Sequence, residues 1–301
     1  MKVRAILVAA CVLTTISATP ANAVTPIVVI STPHFEFHPV ASTAFLAWTV
    51  QDFIPRYSSA VRAEAIGGSS FLVAGGSKGV YASTGGVDGS TLMYSTDDHG
   101  AGDIALFDLP TKTPMPVPDG VNTSAYEAAL GISGTHLLFL RYTRHGYAVI
   151  LFDTQVGTSL TIFSHKDSGQ RFLEVQRGQV DGNYATWDAY LVNNSSQATI
   201  RCDVRLYDIA QATLTRVPNP KKRCQSGPGV NAQGTLYFDR SGLSYGQHAR
   251  VIRYPLGGPG TIIYALPKGH DFGGAVAVDT GGGNTDLYFD PVGDIWELPG
   301  V

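Results

Sequence analysis

Residues Val180–Trp187 read VDGNYATW, Val87–Tyr94 read VDGSTLMY, and Ile132–Phe139 read ISGTHLLF. A chain that rewrites one eight-residue phrase is built from repeated units, and the period of the phrase sets the architecture. The phrase is a tight turn followed by an apolar strand ending in an aromatic residue. Further copies end at Trp48, Phe238 and Phe289, so the aromatics recur roughly every 45 to 51 residues. A second landmark is an alternating strand ending in aspartate: DIALFD at Asp108, YAVILFD at Asp153 and DVRLYD at Asp208. In each of these three copies a threonine follows five residues after the aspartate.

Each landmark has a physical reading. Asp-Gly and Ser-Gly supply the positive φ of a tight hairpin. Alternating apolar and polar residues make a half-buried strand. Large aromatics fill the space between neighbouring sheets. One copy is therefore four short antiparallel strands, placed in the fourth copy near 173–180, 184–190, 202–207 and 214–217. Four strands in about 46 residues make a propeller blade. The expected fold is all-β: a six-bladed β-propeller of four-stranded antiparallel blades. The last copy lacks a fourth strand, and the stretch Pro26–Ile30 is expected to complete it and close the ring, hiding sheet edges.

Residues 1–23 read as a signal peptide: a basic start, an apolar run and small residues ending at Ala23. Val8–Cys11 also resembles a lipobox, which would place a lipid on Cys11. The apolar run before Cys11 is only about six residues and continues past it, which favours cleavage near Ala23. Residues 24–301 then form one propeller domain, secreted or retained in the periplasm or cell envelope. Removing Lys2 and Arg4 takes the net charge from -3 to -5. That balance argues against a nucleic-acid partner. No second apolar stretch is long enough to span a membrane. Cys202 and Cys224 are expected to form a disulfide, contributing about 3 kcal/mol in the chain-entropy model.

The turns at Val87-Asp88-Gly89, Ile132-Ser133-Gly134, Val180-Asp181-Gly182 and Val230–Gly234, with the aspartate-ended strands, resemble TolB-like propellers. The resemblance covers nearly all of the chain after residue 23. It implies an exported ring that binds another protein. It does not extend to TolB's additional N-terminal α/β domain, nor to the hydrolase domain of prolyl-oligopeptidase-like enzymes, because the chain has no room for either.

Several chemical motifs dissolve on inspection. Gly75–Gly79 fits G-x-S-x-G, but a new blade follows it rather than the helix a nucleophile elbow needs. Asp97, Asp98, His99 and Asp103 lack the spacing of a calcium loop and read as a solvated hairpin turn. The sequons at Asn122, Asn193 and Asn194 matter only in a glycosylating source. Lys221-Lys222-Arg223 reads as a solvated loop, with a docking patch for an acidic partner as the alternative. His34 and His38 alternate along a strand and are a poor zinc pair.

One constellation remains. His99, His145 and His248 map to turns between second and third strands, and His34, His165 and His270 to connections between blades. Both sets emerge on one face, with Asp97, Asp98, Asp167 and Asp271 beside them and Arg144, Arg171, Tyr142 and Tyr245 on the same rim. Exposed polar loops are the plain reading. The functional reading is a docking face for an envelope or extracellular protein, with no catalytic residue and no cofactor, carried by a monomer. The alternative is a small-ligand or divalent-metal site, as in a hydrolase or lyase acting on carbohydrate or lactone.

Overall fold

The computed structural model describes residues 25–52, 58–77, 79–98, 101–167, 171–220, 223–242, 249–266, 274–291 and 293–301. The expected signal peptide, His99, His248, His270, Asp271 and Tyr245 lie outside them. The described residues form strands and turns, with no helix among them.

The first strand, β1 (Ile27–Ile30), pairs antiparallel with the last, β25 (Ile295–Leu298). Between them the chain folds into consecutive antiparallel sets. These are β2 (Phe35–Ala41), β3 (Phe45–Asp52), β4 (Ser58–Ala65) and β5 (Phe71–Gly75); then β6 (Val80–Asp88), β7 (Thr91–Asp98), β8 (Ala101–Asp108) and β9 (Thr113–Met115). Next come β10 (Glu127–Ser133), β11 (His136–Thr143), β12 (Gly146–Asp153) and β13 (Thr158–Lys166). The following set is β14 (Arg171–Glu174), β15 (Gly178–Asp181), β16 (Tyr184–Asn193), β17 (Thr199–Asp208) and β18 (Thr213–Arg216). It is joined to β19 (Arg223–Val230), β20 (Leu236–Gly242), β21 (Arg250–Tyr254) and β22 (Thr261–Ala265) by a single parallel pair, Cys202 with Cys224. The two cysteines are disulfide-bonded there, so two sets read as one nine-stranded sheet. Last are β23 (Ala275–Gly281), β24 (Asn284–Phe289) and β25, with β1 on the outer edge.

The recurrent phrases now have structural causes. Gly89, Gly134 and Gly182 all sit at φ between 53° and 55°, closing the first hairpin of their sets. Asp108, Asp153 and Asp208 end third strands and accept backbone N–H groups two or three residues on, at 2.8 to 3.1 Å. The residue before the following threonine takes positive φ: Lys112, Gly157 and Ala212. The aspartate therefore caps the turn into the outer strand. The landmark aromatics Trp48, Tyr94, Phe139, Trp187, Phe238 and Phe289 are all buried between adjacent sheets.

The first strand of each set lies innermost. Added Cβ atoms on Gly85 and Gly86 of β6 would collide with Ala129 and Ile132 of β10, one on Gly131 with Val180 of β15, and one on Gly229 with Ala277 of β23. β23 in turn packs beside β2. The inner strands thus surround a common axis at backbone contact. Below, the end of the axis where first strands begin is the entry end, and the end where they turn into second strands is the turn end.

The fourth set departs from the sequence reading. Its first strand is split into β14 and β15, both paired with β16, rather than running unbroken over 173–180. The reason is Asp188, whose Oδ1 accepts the N–H groups of Gln176 and Arg177 at 2.9 and 3.0 Å and removes them from the ladder.

Candidate functional site

The inner strands of five sets, β2, β6, β10, β15 and β23, line an axial cavity of about 210 Å³. Gln179 of β15 reaches across it. Its Oε1 accepts the N–H of Val230 at 3.0 Å and of Ala277 at 3.1 Å, and its Nε2 donates to the Ala277 carbonyl at 2.8 Å.

At the entry end, one bond recurs around the axis. The residue after the landmark aromatic is polar and buried in five of six copies: Thr49, Ser95, Asp188, Asp239 and Asp290, with Leu140 the exception. Four of these side chains accept an N–H from the next inner strand. Thr49 takes Thr84 at 3.1 Å, Ser95 takes Ala129 at 2.7 Å, Asp188 takes Gly227 at 3.0 Å, and Asp290 takes His38 at 3.2 Å. The last of these joins the final set to the first.

Charge gathers at the same neck. Arg177, just before β15, places Nη2 3.4 Å from Asp290 Oδ2. Burial pushes the Asp290 carboxyl up to about 6, against the pull of Arg177 and the His38 N–H. Burial and the Arg177 charge push His38 well below the usual imidazole range. Burial also raises Asp188, although three backbone N–H groups and Arg177 favour its ionised form. His38 takes φ 56°, unusual for a non-glycine residue, at the point where its N–H turns to Asp290.

The turn end is different. The repeated turn phrase brings Asp88, Asp181 and Asp279 to the cavity lining. Burial, then Asp279 and Asp88, push Asp181 up to about 6. Asp88 accepts the Gly134 N–H at 2.8 Å and Asp279 the Ala232 N–H at 3.3 Å, each from the turn of an adjoining set.

Of the rim residues singled out in the sequence, those that are described do not line the axial cavity. His34 is exposed in the connection between β1 and β2. His145 and Arg144 are exposed in the turn between β11 and β12. His165 lies within β13, not in a connection, and its Nε2 is 3.6 Å from Asp167 Oδ1. It pairs with Tyr147 in the β12–β13 ladder, and the two rings stand 6.1 Å apart. Asp97 and Asp98 belong to β7 and Asp103 to β8, so they pair as strands rather than forming a solvated turn. The Asp97 charge helps raise Tyr126, after burial. Arg171 is exposed on β14. Among the described residues, no three His, Cys, Asp or Glu side chains are grouped to hold a metal ion.

The missed residues, Arg177, Gln179, Asp188 and Asp290, carry one signal in the sequence. Asp188, Asp239 and Asp290 each follow a landmark aromatic, where alternation puts the side chain on the opposite face of the strand.

No protein-family model and no curated relative matches the chain. Solved structures do. A TolB from Agrobacterium tumefaciens aligns with a TM-score of 0.54 at 14% identity, over 79% of this chain and 83% of that one. This is a β-propeller fold. TolB from Acinetobacter baumannii aligns at 0.52 and 13% identity, over 85% of this chain and 64% of that one, so the propeller spans just under two thirds of its length. XC5397 from Xanthomonas campestris, a gluconolactonase, aligns at 0.56 and 12% identity, over 93% and 90%. At these identities the likeness is one of fold, which propellers of different activities share. Among the described residues no helix is long and apolar enough to cross a membrane.

Proposed function

We propose that this propeller is an exported protein-binding module whose entry end docks another envelope or extracellular protein without chemistry of its own. The observation that carries the reading is a contrast at that end. Near the axis, Arg177, Asp188 and Asp290 are bonded into the fold. Further out, Tyr142 is 37% exposed and stacks edge-on against Tyr126 at 5.3 Å, with Arg144 and His145 exposed in the next turn. Tyrosine and arginine on a rigid rim are the side chains that most often anchor interfaces. The proposal takes the sets as six blades closed by β1, which the β1–β25 pairing and the Asp290–His38 bond support. Export through residues 1–23 fits a protein stapled by a disulfide.

The test is affinity capture from envelope and culture-fluid extracts with tagged wild type and with a Tyr142→Ala, Arg144→Ala double variant. A stoichiometric partner held by the wild type and lost by the variant, at unchanged melting temperature, is the expected result. Equal capture by both, or none, overturns the docking face. The axial cavity favours one other reading, a small-ligand or metal-binding propeller. A melting temperature lowered by chelator in the same preparation would favour it.

A further inference from the structure

On the seam between the β10–β13 and β14–β18 blades, two guanidiniums pair with one carboxylate and a third lies close by. Arg201 Nε and Arg216 Nε lie 2.7 and 3.1 Å from the same oxygen, Asp203 Oδ2. Asp203 is 2% exposed, while the two arginines are 44% and 45% exposed. Asn219 Nδ2 reaches Asp203 Oδ1 at 3.5 Å. Arg205 stands directly across from Arg216 in the ladder, and its guanidinium lies 4.6 Å over the Phe163 ring. Its Nε is buried without a partner. Burial lowers the Arg205 pKa, and the Arg201 and Arg216 charges lower it further while Asp203 opposes them.

These facts describe a built cationic site rather than scattered surface charge. Both ion pairs are made through Nε, so the Nη edges of Arg201 and Arg216 are left to face outward. Because both bonds land on one oxygen, the two forks are adjacent. The Phe163 ring packs against the third guanidinium, that of Arg205. Stacked and clamped guanidiniums lose little freedom when they bind, which suits them to planar or tetrahedral oxyanions. Three positive charges against one negative leave an excess of two. A carboxylate ligand would cancel half of that, and a dianionic tetrahedral group all of it.

We propose that Arg201, Arg205 and Arg216, fixed by Asp203 and Phe163, form a binding site for a phosphate or phosphate-ester group. The site is separate from the docking rim and does not depend on it.

The probe is inorganic phosphate, titrated at constant ionic strength against chloride and read by calorimetry and by melting temperature. Wild type is expected to bind phosphate in preference to acetate. Arg201→Gln and Arg216→Gln are each expected to weaken binding about tenfold, with only a modest loss of melting temperature because the other arginine and Asn219 still hold Asp203. Arg250→Gln, on the neighbouring blade, serves as the control for general charge. Glycerol 3-phosphate in a second arm identifies the source: tighter binding than phosphate assigns an ester, equal binding the free ion, and both support the site. No binding above the chloride baseline overturns the proposal. So does equal loss in Arg250→Gln, or acetate binding as well as phosphate.

Discussion

Asp188 and Asp290, at the entry end of the axis, take their hydrogen bonds from neighbouring sheets and share the Arg177 charge. Asp88, Asp181 and Asp279, at the turn end, line the cavity, and after burial the Asp279 and Asp88 charges raise Asp181. The two ends are built from the same strands and differ in what the carboxylates do. At the entry end they hold sheets together, and their burial is compensated by donors. At the turn end hydrogen bonds hold the turns, and the charges are left in excess. Structure and surplus charge are thus segregated along one short axis.

Three substitutions test that contrast. Asp188→Ala should have the largest effect. It leaves the N–H groups of Gln176, Arg177 and Gly227 without an acceptor at a fully buried position, a loss of about 3–5 kcal/mol. The urea midpoint measures it, and an unchanged midpoint would break the idea that the entry end is structural. Gln179→Ala removes three cross-axis bonds midway between the ends and should cost about 2 kcal/mol by the same measurement.

Asp181→Asn should change the pH profile more than the stability itself. The folded carboxyl is pushed up to about 6, above its unfolded value, so the native state holds the extra proton between about pH 4 and 6. Stability therefore falls as pH rises through that window, and the penalty is complete by pH 7. Melting temperatures from pH 4 to 7 should show a shallower fall in Asp181→Asn than in wild type. Parallel curves would mean that burial and the Asp279 and Asp88 charges do not together raise this carboxyl.

The fold was legible because its signals repeat. Trp48, Trp187 and Phe289 mean little singly, but at a common spacing they mark the interfaces between sheets, and the glycines after Asp88, Ser133 and Asp181 mark their turns. Cys202 and Cys224 were readable as a pair because they are the only cysteines beyond residue 23. The site was less legible. Histidine draws attention as a ligand, yet His34 and His145 are exposed in connections, and His165 is a ladder residue of β13 paired with Tyr147. The polar groups closest to the axis are Arg177 and Gln179, whose reach to Asp290 and Ala277 spans more than 95 residues of sequence. Periodicity reports what each copy shares. It is silent about a single side chain that differs from its counterparts and crosses to another copy.

The bond that passes from the second strand of one set to the inner strand of the next has a consequence for the ends of the array. In a linear array of repeats, the terminal unit has one neighbour and unravels first. Here Asp290 of the last set accepts the His38 N–H of the first, so the two end sets are also joined to each other. Separating the two end sets requires that bond to break. Leu140, which has no polar group to offer at the equivalent position, leaves its junction to apolar packing alone at that point.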